Sequence, residues 1–531
     1  MSYESTEVSR FPKKFNAVTY FIDRHLSEGR SDSIAVIDRN GETSYQTLAN
    51  RINQAANVWS LELGLRPETR VALLLHDTID YPVAFWGALR VGVVPICLNT
   101  LLTLDHYRYI LNDCRAEVLV IQDALYATIK PALDQLPNLK TVILVGDANT
   151  GGHGEAWSAR LDRQPNQAQT LNTSKDDIAF WLYSSGSTGN PKGVPHRHDS
   201  LYWTYEFYGK GVLGITPEDR IFSIAKLFFA YGLGNGMTFP FGAGATAVYF
   251  DGRPTPDAAI EVLEQHQPTI FCGVPTLYAA LLGSQSLADR PGSKALRRSI
   301  SAGEALPADV GERWEDRFGS PILDGVGSTE MLHIFLSNQP GDVHYGTSGR
   351  AVPGYKLKLV DPVGSPVAQG EIGELLVNGP STADSYWNQR EKTLKTFVGG
   401  WTYTGDKYFQ DEQGLFHYCG RSDDMFKSGG NWVSPFEVES ALMGHQSVLE
   451  AAVIAHADEA GNLKPMAFVV LREGVVSPED ELKTELQTFV RARIEQWKYP
   501  RWIEFVEELP KTATGKIQRF KLRETTRADA S

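Results

Sequence analysis

Tyr183-Ser184-Ser185-Gly186-Ser187-Thr188-Gly189-Asn190-Pro191-Lys192-Gly193 follows directly on an uncharged, strand-like run, Ile178–Leu182. Gly186, Gly189 and Gly193 allow left-handed or closely approaching backbone, so successive N–H groups can face one anion. The hydroxyls of Ser184, Ser185, Ser187 and Thr188 can face it too, and Lys192 supplies charge: the composition is that of a polyphosphate cradle. The common nucleotide-triphosphatase loop needs four residues between its first Gly and a Gly-Lys-Ser/Thr ending. Here Pro191 precedes Lys192 and Gly193 follows it, so a different phosphate chemistry is indicated. A flexible surface loop has similar composition; the strand-like lead-in and the lysine favour the cradle.

Outward from this loop the pattern alternates. A helix over Ser44–Leu63, a strand over Val71–Leu75, a helix over Tyr81–Arg90 and a strand over Val93–Leu98 come first, with further strands at Val118–Ile121 and Thr141–Val145. Similar units recur around Ile260–Val274 and Leu296–Ile300, and such alternation builds parallel sheets covered by helices. From about Ala351 short strands with Gly and Pro punctuation (Tyr355–Val360, Gly373–Val377, Tyr408–Tyr418) predict a small, mostly antiparallel barrel or sheet. A boundary is expected near Arg421. Beyond it Ser434-Pro435-Phe436-Glu437 is a capping box with Pro at the first helical position, opening a helix that ends near Gly444. Strands at Leu449–Ala455 and Met466–Leu471, a helix over Pro478–Trp497 and a strand at Trp502–Val506 complete a small α+β unit.

The chain has 531 residues, 42% of them apolar, enough for two or three structural domains. A net charge of −13 argues against general binding to nucleic acid or anionic membranes, although Arg491–Arg523 carries nine Lys or Arg against four Glu. That basic tail suits a polyanionic small molecule or a solvated charged face. Cys97, Cys114, Cys272 and Cys419 are far apart and form neither a metal-ligand spacing nor a disulfide framework. A reducing cytoplasm is therefore expected, and the charged first thirty residues contain no secretory apolar stretch. Leu227–Phe250 lacks charge and could span a membrane by length, but its five glycines, Pro240 and Asn235 favour buried loop and strand beside a pocket.

A second cluster, Asp324-Gly325-Val326-Gly327-Ser328-Thr329-Glu330, suits a nucleotide edge, a phosphate and a magnesium ion. Ser301-Ala302-Gly303-Glu304-Ala305-Leu306-Pro307 is another small-residue turn after a β-like run. Tyr403-Thr404-Gly405-Asp406 offers a carboxylate for ribose hydroxyls; Gly420-Arg421-Ser422-Asp423-Asp424 and Pro510-Lys511-Thr512-Ala513-Thr514-Gly515-Lys516 follow. Each is weak alone. In this order they resemble the adenylate-forming superfamily of acyl-CoA synthetases, luciferases and nonribosomal adenylation domains, over essentially the whole chain. Lys226–Asn235 and Gly327–Phe335 further resemble the benzoate-CoA ligase group.

The resemblance implies a fold: a large N-terminal domain over 1–420, of two parallel-type α/β sheets plus a small β-barrel, followed by a small mobile α+β domain over 421–531. It implies an enzyme that makes an aryl adenylate and pyrophosphate from Mg-ATP, then aryl-CoA and AMP, as in aromatic acid degradation. An ionised carboxylate is already nucleophilic at neutral pH, so the first step needs charge neutralisation rather than a base. By motif position the 183–193 loop holds the β and γ phosphates, Thr329 meets the α-phosphate and Glu330 holds Mg²⁺. Gly303, Glu304, Asp324 and Gly325 belong to the nucleotide side; Asp406, with Arg421, belongs to the ribose. Lys516 is the adenylation lysine and an expected acetylation target of a lysine acetyltransferase and deacetylase. Asp423 is the hinge of a rotation that withdraws Lys516, brings Lys427 near the reaction centre and lines a pantetheine tunnel with Gly429 and Gly430.

The same resemblance puts Phe228, Phe229, Ala230, Tyr231 and Gly232 around the acyl group, with Ala302, Gly303, Gly325, Gly327, His333 and Ile334. Paired glycines admit a flat ring while aromatic walls obstruct a long alkyl chain, which favours benzoate-like acids. Phe228 and Phe229 also read as plain core aromatics, and His333 as a buried histidine. Two residues depart from the family wording: Pro195 after Val194, and Trp432 after Asn431 near the thiol tunnel. An enzyme loading a carrier-protein phosphopantetheine, an ADP-forming phosphotransferase or ATPase, and a non-catalytic nucleotide binder are the competing readings. Gly242–Ala247 suggests a Rossmann oxidoreductase only until the β-branched and aromatic residues after it are counted. A homodimer is the default oligomer.

Overall fold

The computed structural model describes residues 10–146, 156–184, 190–284, 287, 290–428, 431–458, 461–472, 474, 475, 478–511 and 517–528. Two large sheets carry the first part of the chain. One has six strands in the order Thr141–Val145, Val118–Gln122, Arg70–Leu74, Val94–Cys97, Ile178–Ser184 and Lys192–Arg197. Its first five strands are parallel and the last antiparallel. The other has nine strands, with a parallel centre of Ile322–Gly327, Arg298–Ala302, Ile270–Gly273, Arg220–Ser223, Thr246–Val248 and Ile34–Asp38, and antiparallel strands at both edges. Unbroken apolar strands such as Val71–Leu74 are what a sheet covered on both faces requires.

The sheets share one core, in which Val71 and Leu73 of the first join Val36, Ile221, Cys272, Ile300 and Leu323 of the second. Helices Tyr45–Asn57 and Asp80–Arg90 pack between them; Gly87 lets the backbones close, since a Cβ there would lie 2.5 Å from that of Ala55. Ser44 caps the first helix, its hydroxyl accepting the Thr47 N–H. A five-stranded antiparallel sheet follows, built from Lys356–Val360, Gly373–Asn378, Phe397–Val398, Trp401–Gln410 and Phe416–Arg421. The last unit contains the hairpin Phe426–Ser428/Asn431–Val433, the sheet Val448–Ala457, Leu463–Leu471 and Trp502–Phe505, and helices Pro435–Met443, Glu479–Arg491 and Arg519–Ala528.

Four local expectations change. The stretch Tyr408–Tyr418 is a hairpin rather than one strand, because the Asp411 carboxylate gathers the N–H groups of Gln413 and Leu415 into a turn. The helix expected to Trp497 stops at Arg491, after which Lys498 turns back to bond the Glu437 carboxylate at 2.7 and 2.8 Å. Ser434 accepts the Glu437 N–H at 3.1 Å as a capping residue should, while the Glu437 side chain serves Lys498.

The charge-free run Leu227–Phe250 is mostly helical: Ala230–Leu233, the wide π-helical turn Gly234–Thr238 and Phe239–Ala243 precede the strand Thr246–Val248. Glycine is a poor helix former in isolation. Here it is retained for contact, since a Cβ on Gly232 or Gly242 would lie 2.1 Å from the Lys226 carbonyl oxygen or 2.6 Å from the Tyr205 ring. No helix among the described residues is long and apolar enough to cross a membrane.

Candidate active site

The chemistry-bearing motifs meet beyond the C-terminal ends of the parallel strands, where open α/β sheets hold ligands. Strands Ile178–Ser184 and Lys192–Arg197 pair antiparallel with Ser184 opposite Lys192 and Tyr183 opposite Gly193. The glycine- and hydroxyl-rich stretch therefore joins a hairpin; Ser185, Gly186, Ser187, Thr188 and Gly189 lie outside the described residues. Gly193 accommodates a second chain segment, whose Trp387 N–H donates to the Gly193 carbonyl at 2.9 Å.

That segment brings a residue sequence reasoning missed. Lys192 Nζ donates to the Tyr386 hydroxyl at 3.2 Å, and this hydroxyl donates to Glu330 Oε1 at 2.8 Å. Lys192 and Glu330 are 3.8 Å apart, and the ammonium stands 4.2 Å from the Tyr386 ring centroid. Burial lowers the Lys192 pKa while Glu330 opposes the shift. The available signal was an aromatic pair, Tyr386-Trp387, in a polar stretch between strands. Thr329 sits at the start of the turn containing Glu330, where Leu332 adopts φ +67° and its N–H donates to the Thr329 carbonyl.

On the neighbouring face Asp406 and Arg421 are opposite each other in adjacent strands. Arg421 Nη1 donates to Asp406 Oδ1 and to the Thr404 carbonyl, both at 3.0 Å. The Arg421 charge acts on both Lys192 and Tyr386, so the ribose-type and phosphate-type clusters form one neighbourhood. Gly303, exposed with φ +99°, and half-buried Glu304 form the turn after Arg298–Ala302. Asp324, expected among the nucleotide contacts, lies beneath this turn with 4% exposure, and its Oδ2 accepts the Leu306 N–H at 3.4 Å. Burial pushes its pKa to about 8, so it braces the turn as a neutral acid at pH 7.

The third group is aromatic. The Tyr231 hydroxyl shares its one proton between the carbonyls of Gly273 and Ile300, each at 3.1 Å, which fixes it against two adjacent parallel strands. His333 is 2% exposed, with Phe239, Tyr208 and Tyr231 ring centroids at 4.4, 5.4 and 5.9 Å. Burial drives its pKa to about 3, and Nε2 faces the Tyr231 carbonyl oxygen at 3.4 Å; it is a neutral imidazole. A Cβ on Gly234 would meet the His333 ring at 2.3 Å, one on Gly327 the His333 carbonyl oxygen at 2.6 Å, and one on Gly325 the Ile334 side chain at 2.9 Å. Phe228 is buried in the core and meets half-buried Phe229 edge to face. Ala302 is buried at its strand end, and Ala230 and Gly232 open the helical run.

In the last unit Lys427 pairs in register with Trp432, its ammonium 5.0 Å from the indole, which is 46% exposed. Gly429, Gly430 and Lys516 lie outside the described residues. Asp423 is an exposed member of the turn joining the two parts, whose Ser422 N–H donates to the Gly405 carbonyl at 2.8 Å. The next residue, Asp424, is held by Arg519 and Arg523 at 3.4 and 3.1 Å. Among the described residues no group of three or more His, Cys, Asp or Glu could hold a metal ion. A divalent ion at Glu330 would take its remaining ligands from water and phosphate, the coordination magnesium prefers.

Sheets of this order, with phosphate-type, ribose-type and aromatic clusters at one mouth and a small unit behind a turn, define a nucleotide-dependent enzyme of two parts. The chain belongs to the AMP-binding enzyme family: it matches the AMP-binding enzyme model over 23–387 and the AMP-binding enzyme C-terminal domain over 437–516. It is 51% identical to the benzoate–CoA ligase of Thauera aromatica over 515 residues, 97% of each chain. The crystal structure of the anthranilate CoA ligase AuaEII in complex with anthranoyl-AMP matches with a TM-score of 0.94 at 40% identity, covering 98% of this chain and 99% of that one. A benzoate CoA ligase from Burkholderia xenovorans LB400 matches at 0.88 and 48% identity, covering 96% and 100%.

Proposed function

We propose that the chain is an ATP-dependent, AMP-forming ligase that joins benzoate or a ring-substituted benzoate to coenzyme A. One observation carries the reading: a buried cluster of neutral aromatic groups, Tyr208, Tyr231, Phe239 and His333, is joined through the short stretch from Glu330 to His333 to the charged Lys192–Tyr386–Glu330 cluster. A flat apolar acid fits the first and a polyphosphate the second, so a carboxylate and an α-phosphorus are brought together.

In the first half-reaction a carboxylate oxygen forms a bond to the α-phosphorus and the bond to pyrophosphate breaks. Lys192 and the 183–193 loop hold the β and γ phosphates, Thr329 the α-phosphate, and Lys516 bridges carboxylate and phosphate oxygens. Glu330 would hold a magnesium ion, which neutralises phosphate charge when bound. Asp406 and Arg421 take the ribose. In the second half-reaction the coenzyme A thiol gives its proton to solvent, its sulfur bonds to the acyl carbon, and the bond from that carbon to the phosphate oxygen breaks, its electron pair leaving with AMP. The small part, residues 421–531, turns about Asp423 between the two steps, bringing Lys427, Gly429 and Gly430 to the thiol. Neutralising Lys516 by acetylation would switch off the first step alone.

The test is pyrophosphate release with Mg-ATP and coenzyme A across benzoate, its hydroxy-, amino- and halo-derivatives, cinnamate and octanoate, with nucleotide products separated. AMP with an aryl thioester is expected. ADP, or AMP formed only with octanoate, overturns the reading.

A further inference from the structure

A short segment, Lys226–Tyr231, runs from the strand Arg220–Ser223 to the aromatic cluster of Tyr231 and His333 and turns once, with the Phe229 N–H donating to the Lys226 carbonyl at 3.0 Å. The segment is pinned from below by a residue of the other large sheet. Asp77, in the loop after Arg70–Leu74, accepts the Leu227 N–H on Oδ1 at 3.2 Å, while its Oδ2 stands 3.9 Å from Lys226 Nζ. The Lys226 ammonium also donates to the Phe250 carbonyl, so three chain segments converge on one charge pair. Gly232 then packs directly on the carbonyls of Ala225 and Lys226.

This pair is costly where it stands. Asp77 is 4% exposed, and a buried ion pair gives back little more than the desolvation it incurs. Its best-attested use is to fix one arrangement among several, and the arrangement fixed here is the path of Phe228–Tyr231 into the pocket.

We infer that Asp77 and Lys226 are positioning residues for the aromatic acid: acting through Leu227 and the segment after it, they set the affinity and ring selectivity of a pocket neither touches. The inference rests on the aryl-ligase reading. It predicts a split between substrates, because the pair lies under the ring segment and apart from Lys192, Glu330 and Asp406.

The experiment uses the full chain with Asp77→Asn, which keeps an oxygen for Leu227 but removes the charge, and Lys226→Met, which keeps the apolar stem. Lys226→Arg keeps a donor and a cation, and the double variant Asp77→Asn/Lys226→Met closes the cycle. Either single loss of charge should raise the KM for benzoate about tenfold while the KM values for ATP and coenzyme A stay within about twofold. The double variant should be no worse than the worse single one, and Lys226→Arg should recover most of the affinity. Equal changes in all three KM values, or unchanged benzoate KM with lower thermal stability, overturn the inference, as does full additivity in the double variant. Should Asp77→Asn fail to fold, the Lys226→Met and Lys226→Arg pair decides by the same split. A wild-type enzyme inactive with every aryl acid would instead sink the functional reading itself.

Discussion

Substituting Gly232 by Ala adds one methyl group at a place where the backbone conformation itself raises no objection. The obstacle is contact: the new Cβ would lie 2.1 Å from the Lys226 carbonyl oxygen and 2.4 Å from that of Ala225. Ordinary contact begins near 3.4 Å, so the two stretches must separate by more than about 1 Å. These are backbone atoms, not a side chain that can swing aside. Overpacking of this kind costs about 1–3 kcal/mol, against a gain of about 0.5–1 kcal/mol for replacing Gly by Ala in a helix.

The strain falls on the segment that carries Phe228–Tyr231, and its relief moves Tyr231 off the carbonyls of Gly273 and Ile300. About 1.4 kcal/mol is tenfold in affinity, so the KM for benzoate should rise about tenfold while that for ATP changes little. Gly283→Ala is the matched control, because a Cβ there meets nothing within 4 Å and the residue closes an unrelated helix. Steady-state titrations of each substrate on both variants read the difference. A benzoate KM within about twofold of wild type for Gly232→Ala, or the same shift in Gly283→Ala, would refute the reasoning.

Tyr386→Phe removes the hydroxyl shared by Lys192 and Glu330, a charge-assisted pair of bonds worth roughly 1.5–3 kcal/mol; kcat/KM for Mg-ATP should fall about tenfold or more, with the aryl acid KM unchanged in the same titrations. Lys516→Ala should abolish pyrophosphate release from benzoate and ATP yet leave conversion of preformed benzoyl-AMP to thioester largely intact, and equal loss of both would refute the division of labour. Asp423→Pro should hold one orientation of the small part, so that one half-reaction survives and the other fails; survival of both would remove the hinge assignment. Asp324 ionises near pH 4 in the unfolded chain and near about 8 when folded. Between those values only the folded state holds its proton, so the wild type loses stability from this group as pH rises from about 4 to 8. Asp324→Asn should therefore show the larger advantage at pH 8 than at pH 5 in urea melts, and an equal or reversed gap would contradict the burial argument.

The alternation of strands and helices and the Ser434 cap were legible in the sequence because each is decided by neighbours a few residues apart. The Gly-rich run after Leu227 was not. Propensity argues against helix there, and what overrides it is burial against Lys226, His333 and Tyr205, contacts that span up to about a hundred residues. Tyr386 was invisible for the same reason: it is 56 residues from Glu330 and 194 from Lys192, and only the folded chain makes them a unit. What the sequence did not show at Asp324 is that the turn above it engages one carboxylate oxygen, through the Leu306 N–H.

Burial also explains how one mouth serves a ring and a polyphosphate. Around the ring His333 is held neutral, burial driving its pKa to about 3, and the nearby Asp77–Lys226 charges are turned on each other beneath the Lys226–Tyr231 segment. On the phosphate side Lys192 and Glu330 remain partly exposed and within 3.8 Å of each other, so both can exchange their mutual contact for a ligand's charges. On the function proposed above, an aryl carboxylate has one orientation that leaves its charge beside Lys192 and its ring among neutral groups, and the reverse would strand an anion between Tyr231 and His333. Burying an unpaired carboxylate costs several kcal/mol, more than any ring contact could return. On that reading the aromatic side aims the acid by keeping the nearby cation, Lys226, engaged with Asp77 and the Phe250 carbonyl.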